Sequence, residues 1–381
     1  MYFRLNPECY LIHGIKCGAI YDLADQKVYS LDKRETEIVT SCENNKIING
    51  DENILKELKR HCIGNFYLKK TYIQKIRVGR LLEGGEDQKQ TPKLYRSFLE
   101  INNLCNRSCW FCGINGIKRT MGCMGCNKWA ENGRLMDLEM WKKLIDGLHD
   151  LDCKNIYICG GDLTLVWDYT LDIIDYAFKK FTNIYVTLHQ RSISPDIIND
   201  LKNKSNIIIQ TESIKNIIEN NSTILLIMNQ EDGIECDRIK RKDIIKDYTI
   251  DDINLLSNDH PIVSKMKIVP TNVRKFFNNV EYHPCLGHTL AICCNGDVIP
   301  CPMMRYHKFG NVMNGELYAI FEKNWERIYS TWKLNLDKID KCSMCEFRYS
   351  CNDCRSLEES LTGNLTGKTL CRYIPTEGIW L

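Results

Sequence analysis

The segment Ile101–Cys112 reads INNLCNRSCWFC and sets cysteines at 105, 109 and 112, a C-x3-C-x2-C spacing. Thiolates so spaced can hold a [4Fe–4S] cluster by three of its four irons, which leaves the last iron open to a substrate or cofactor. An open iron suits chemistry more than electron storage. The competing readings are chance spacing in a cysteine-rich chain and half of a zinc site. Phe98–Asn102, just ahead, reads as a strand, so the cysteines follow a strand end.

Downstream, strand-like and helix-like segments alternate to about residue 272. Asp137 is placed to cap a helix whose Trp141, Leu144, Ile145 and Leu148 recur at helical spacing. Strands are expected at Asn155–Cys159, Ile184–Leu188, Ile207–Gln210, Thr223–Met228 and Met266–Val269, with helices such as Leu171–Phe178 and Pro195–Leu201 between several of them. The alternation predicts an α/β fold, a parallel sheet with helices outside it. About six units suggest a partial (β/α)6 barrel of the TIM type, with the active site at the carboxyl ends of the strands. Gly160, Gly161, Asp162 and Leu163 follow the second strand, and two glycines there let the backbone approach a ligand closely.

The triplet, with the aromatic Phe111 before its last cysteine, resembles the signature of the radical S-adenosylmethionine (SAM) superfamily. The resemblance implies that Cys105, Cys109 and Cys112 hold the cluster and that SAM chelates its open iron. One electron would then split SAM, and a 5′-deoxyadenosyl radical would take hydrogen from the substrate. Phe111 would lie by the adenine. Gly160, Gly161 and Asp162 resemble the family's GGEP motif, which holds the amino group of SAM. Asp162 and Leu163 depart from that motif, in a contact made largely by the main chain. The resemblance also implies a flavodoxin- or ferredoxin-type electron donor.

Nine cysteines fall in residues 280–381, and Asn295–Gly296 reads as a hairpin turn. Cys285, Gly296 and Cys301, then Cys342-x2-Cys345-x5-Cys351-x2-Cys354 and Cys371, resemble the SPASM extension of radical SAM enzymes that modify peptides. The run FGNV at 309–312 fits it too; the gap before Cys354 is one residue shorter than usual. That resemblance implies two auxiliary [4Fe–4S] clusters, one on Cys285, Cys301 and Cys354 and one on Cys342, Cys345, Cys351 and Cys371. The fourth position of the first is left to Cys293, Cys294 or a substrate thiolate. Two zinc sites are the alternative.

Cys123 and Cys126 sit in an insert after the triplet and read as cluster ligands, a redox pair, a substrate trap or unliganded thiols. Cys159 and Cys236 are candidate hydrogen-atom donors, with a small buried cysteine as the plainer reading of the first. Gln210, Glu212 and Asn229 end candidate strands, where they are placed to touch SAM or to serve as loop polar residues.

Residues 1–82 read as a small α+β unit: strands at Ala19–Leu23 and Lys27–Leu31, then a helix capped by Asp51 with Ile54, Leu55, Leu58 and Cys62 on one face. The order resembles the winged-helix-like recognition elements that bind a leader peptide at a sheet edge in ribosomal peptide (RiPP) maturation. Residues 83–92 (EGGEDQKQTP) read as a linker. The expected domains are then 1–82 for leader recognition, 93–275 for the radical SAM core and 280–381 for the auxiliary clusters.

A formal net charge of +2 gives no electrostatic reason to expect a nucleic-acid or anionic-membrane partner. No apolar run is long enough to span a bilayer, and the start lacks a signal-peptide layout, so a cytoplasmic protein is expected. In a reducing compartment, twenty-one cysteines point to metal or redox sites rather than disulfides. The expected function is a radical SAM peptide maturase that installs a thioether or other crosslink in a precursor peptide. Epimerisation, formylglycine formation on a folded protein, and a zinc-stabilised binding module are the other readings.

Overall fold

The computed structural model describes residues 1–48, 53–77, 93–131, 135–214, 222–230 and 243–381. The expected linker 83–92, the cap Asp51 and the candidate donor Cys236 lie outside the described residues.

The amino-terminal part carries β1 (Tyr2–Leu5), β2 (Cys9–His13), β3 (Gly18–Asp22), β4 (Lys27–Leu31), α1 (Lys33–Glu43), α2 (Asn53–Arg60) and β5 (Gly64–Tyr67). Strands β2, β3 and β4 form an antiparallel sheet in that order, and β1 pairs with β5. Asp32 and Glu35 make a reciprocal capping box at the start of α1. Two of these strands, β3 and β4, were legible in the sequence; β1, β2, α1 and β5 add to them.

The central part runs β6 (Arg96–Asn102), β7 (Lys118–Arg119), α3 (Leu138–Asp150), β8 (Asn155–Gly160), α4 (Trp167–Phe178), β9 (Asn183–His189), α5 (Pro195–Leu201), β10 (Asn206–Thr211), β11 (Thr223–Met228) and β12 (Ile244–Ile250). Strands β6, β8, β9, β10, β11 and β12 lie side by side and parallel, the partial TIM-type barrel. Asp137 caps α3 by accepting from the Glu139 amide, and Trp141, Leu144, Ile145 and Leu148 are buried as the spacing predicts. Each such side chain contributes about 1.5–3 kcal/mol on leaving water. Strand periodicity divides the faces. Leu99 and Ile101 of β6 join the core beneath the helices, while Phe98 stacks on Tyr157 at 4.9 Å and Tyr157 on Tyr185 at 4.5 Å across the other face.

One expected strand is corrected. Met266–Val269 is not part of the sheet: Lys265–Lys267 form a 3-10 turn, and Ile268 makes only an isolated bridge to Cys351. The sixth parallel strand is β12, whose Lys246 and Asp247 interrupt the apolar pattern that would have announced it.

The remainder holds α6 (Val273–Glu281), β13 (Thr289–Ile292), β14 (Asp297–Ile299), β15 (Gly310–Asn311), α7 (Leu317–Trp332), α8 (Asp340–Ser343), α9 (Arg355–Thr362), β16 (Tyr373–Ile374) and β17 (Ile379–Trp380). β13 pairs parallel to β6, and β14 and β15 extend the same sheet, so it reaches ten strands with β7 at its far edge. The β13–β14 hairpin turns at Asn295–Gly296 as expected, Gly296 taking φ +87°. Ala19, Tyr21 and Leu23 pack with Phe276, Phe347, Tyr349 and Tyr373, and Tyr21 Oη donates to the Glu346 carbonyl at 2.9 Å. The amino-terminal unit is therefore seated on the cysteine-rich region. Among the described residues, no helix is long and apolar enough to cross a membrane.

Candidate active site

Cys105, Cys109 and Cys112 come off the carboxyl end of β6 and line one small cavity. Arg107, Phe111, Cys126, Asn127, Gly161, Asp162, His189 and Gln210 line it with them. The structure thus brings the triplet, Phe111 and the Gly–Gly–Asp turn to one place.

Close approach of backbones explains the two glycines. Gly160 sits at φ +146°, where a Cβ would stand 2.5 Å from the Asn102 carbonyl oxygen. A Cβ on Gly161 would run into the Leu104 carbonyl. Amides of this turn tie β8 to the cysteine loop: Gly161 N donates to Asn102 O at 3.0 Å, and Asp162 N to Leu104 O at 2.6 Å.

Asp162 does more than replace a glutamate. Its carboxylate accepts from Arg107 Nε at 3.2 Å, Ser192 Oγ at 3.0 Å and the Thr164 amide at 3.1 Å. Burial opposes its charge, but these hydrogen bonds and the Arg107 guanidinium hold its pKa below the usual carboxylate range. Arg107, between the first two cysteines, is thereby fixed at the cavity wall. His189 ends β9. Burial, with Arg107 and Arg191 nearby, lowers its pKa, so the ring is neutral at pH 7. Its Nδ1 accepts from the Arg191 amide at 3.1 Å, and its Nε2 is buried with no partner among the described residues. The His189 and Phe111 rings are parallel within 3°, centroids 6.4 Å apart.

The insert after the triplet closes over the barrel mouth. β7 pairs with the end of β12, and Arg119, fully buried, donates to Asp247 Oδ2 at 2.6 and 2.9 Å. The same guanidinium reaches Asn127 Oδ1 at 3.1 Å and Gln210 Oε1 at 3.0 Å, and lies over the Phe111 ring at 5.2 Å. Asp247 also accepts from the Met121 amide at 2.8 Å. Gly125 is the residue that lets this network pass, since a Cβ there would meet the side-chain oxygen Oε1 of Gln210 and, at 2.6 Å, Arg119 Nη2. Cys126 Sγ accepts from Gln210 Nε2 at 3.0 Å and faces the triplet cavity.

A second, larger cavity of about 750 Å³ adjoins this site, with Glu100, Lys118, Arg119, Cys294, Arg305 and Tyr306 on its walls. Glu100 is buried and paired with Arg305, and Cys294 Sγ lies 3.4 Å from Glu100 Oε1. Cys293 and Cys294 therefore face Glu100 and Arg305. Cys159 is buried on the same inner side, close to Glu100 and Cys293. Glu212 is taken up by an ion pair with Arg191 at 3.0 Å, and Asn229 is exposed beyond β11.

Cys342, Cys345, Cys351 and Cys371 line a third, small cavity, with Lys341, Arg348 and Lys368 on its wall. Among the described residues, no three Cys, His, Asp or Glu side chains converge tightly enough to hold a single metal ion.

Sequence reasoning missed Arg107, Arg119, Asn127, His189 and Asp247. Four of them lie at a strand end or in a cysteine loop, and Asp247, in the middle of β12 within IIKDYTI, was the readable signal.

Residues 99–232 match the model of the Radical SAM superfamily. No curated protein sequence matches the chain. Among solved structures, the chain is similar to SuiB of Streptococcus suis at 11% identity and TM-score 0.48, over 97% of this chain and 100% of that one. SuiB bound to its precursor peptide SuiA gives 13% identity and TM-score 0.46 over 97% and 100%. BtrN in complex with AdoMet and 2-DOIA gives 13% identity and TM-score 0.38 over 69% and 94%.

Proposed function

From the radical SAM domain that this chain carries over residues 99–232, we propose a radical SAM peptide maturase. It takes hydrogen from a ribosomally made precursor peptide and installs a crosslink, a thioether among the candidates. The observation that carries the reading is the shared cavity of Cys105, Cys109, Cys112, Phe111, Gly161 and Asp162 at the barrel mouth. The donor set fits a [4Fe–4S] cluster with one open iron and SAM beside it. When bound, these supply one electron that splits SAM and a carbon radical that takes hydrogen from the substrate.

The chain's own residues do the rest. Arg107, fixed by Asp162 and Ser192, offers a guanidinium to a carboxylate. The parallel faces of Phe111 and His189 are of the kind an adenine stacks on, and neutral His189 offers its Nε2 proton. The insert and Arg119 close the mouth against water, which protects a reactive radical. The 750 Å³ cavity, walled by Lys118, Arg119, Glu100 and Arg305, takes the peptide segment to be modified.

The amino-terminal sheet supports a peptide with a leader. In the order β2–β3–β4, β4 is an edge strand, and an edge offers backbone groups to an added strand. Cys342, Cys345, Cys351 and Cys371 would hold one auxiliary cluster. Cys285, Cys301 and Cys354 would hold another, suited to carrying away the electron left by an oxidative crosslink.

The test uses the full chain, because removing residues 1–82 would strip Tyr21 and its neighbours from the cysteine-rich core. The probe is the peptide encoded beside the gene. In an edge strand, alternate residues turn their N–H outward, so either Tyr29→Pro or Ser30→Pro removes an outward donor. Wild type is expected to convert the peptide to a product lighter by a pair of hydrogens. One of the two variants loses most of that conversion while still cleaving SAM without peptide. Equal conversion by both variants would remove the leader-binding reading and favour a maturase of folded proteins.

A further inference from the structure

The reading above gives one auxiliary group only three cysteines, Cys285, Cys301 and Cys354. The structure brings a fourth thiol to them from another part of the chain. Cys123, on the insert pinned to β12, packs with Cys301, Leu286 and Met304. Its thiol lies close to that of Cys301. All six pairs among Cys123, Cys285, Cys301 and Cys354 lie within electrostatic reach of each other. Arg96 Nη2 stands 3.5 Å from Cys285 Sγ and places one positive charge beside the group, as a buried set of thiolates requires. Cys293 and Cys294, the nearest cysteines in sequence, instead face Glu100 and Arg305.

We propose that Cys123 is the fourth protein ligand of a [4Fe–4S] cluster held with Cys285, Cys301 and Cys354. The inference rests on the iron–sulfur reading above and sharpens it. A cluster with four cysteine ligands has no open iron, so a substrate thiolate does not bind there. The cluster carries electrons and leaves substrate binding to the 750 Å³ cavity. The insert also joins two sites. Cys123 enters the auxiliary group, and Cys126, three residues on, lines the SAM cavity. Three residues span at most about 10 Å, so the two centres are held close by one short covalent tether. Arg119, Asp247 and Gly125, which fix that tether, then have a reason to be where they are.

The experiment starts from the full chain carrying Cys105→Ala, Cys109→Ala and Cys112→Ala, reconstituted anaerobically with iron and sulfide. This parent should bind about eight irons, the content of two four-iron clusters. Adding Cys123→Ala is expected to leave one iron without a protein ligand. That iron is lost on mild oxidation, the count falls to about seven, and the EPR signal of a [3Fe–4S] cluster appears. The reduced signal of the other cluster stays and reports that the fold is kept. Cys126→Ala in the same parent should change neither count nor spectrum. An iron count and spectrum identical to the parent in Cys123→Ala would overturn the assignment. Should Cys123→Ala lose both clusters, Cys123→Ser decides: a full count with an altered spectrum supports ligation, and an unaltered spectrum overturns it. A parent that binds zinc and no iron would overturn the iron–sulfur reading itself.

Discussion

Asp353→Ala is expected to lower the stability of the cluster-free chain by about 3–5 kcal/mol, the cost of breaking a buried ion pair from one side. Asp353 lies between Cys351 and Cys354 and is buried with two cations, Arg355 and Lys368, and with His283. It accepts from Arg355 Nε and Nη2 at 2.5 and 2.6 Å, lies 2.9 Å from His283 Nε2, and pairs with Lys368. Arg355 and Lys368 have essentially no exposed side-chain surface, so removing the carboxylate strands two charges out of water. Against a usual total of about 5–15 kcal/mol, that loss is large. Urea denaturation of the two proteins measures it. Lys368 also faces Cys342 and Cys351. Thiolates bound to a cluster would partly replace the lost charge, so the deficit should shrink after reconstitution. A loss below about 1 kcal/mol would mean that water reaches the cations.

The second large effect is catalytic. Replacing Cys105, Cys109 and Cys112 together by alanine is expected to remove about four irons of about twelve and to abolish SAM cleavage. The triplet sits on a loop whose backbone is tied to the Gly161 and Asp162 amides through the Asn102 and Leu104 carbonyls. The fold should therefore persist, and the auxiliary iron should remain. Retained cleavage of SAM in this variant, followed as 5′-deoxyadenosine, would move the reactive centre elsewhere.

Much of this was legible in the residues because local and global preferences agree there. The Trp141–Leu148 stripe, the Asp137 cap and the apolar strand Thr223–Met228 each state one periodicity, and each appears where it was expected. The Cys-x3-Cys-x2-Cys spacing and the paired glycines announced the site because the chemistry demands those residue types close together. The misread strand shows where such agreement stops. Met266–Val269 has strand-forming residues but ends against Pro270 and makes a single bridge. The true sixth strand hides behind Lys246–Asp247. Its aspartate breaks the apolar pattern because it is needed to hold Arg119 over the barrel mouth. A polar residue that weakens the local signal is here part of the functional network. The grouping of Cys123 with Cys285, Cys301 and Cys354 had no signal in spacing. It depends on the insert folding back to β12, a contact between residues more than a hundred positions apart.

The most direct test of the account is the iron and sulfide content of the full chain after anaerobic reconstitution, followed by reduction and addition of SAM. The account predicts about twelve irons per chain and the formation of 5′-deoxyadenosine. Zinc in place of iron, with SAM left intact, would contradict it.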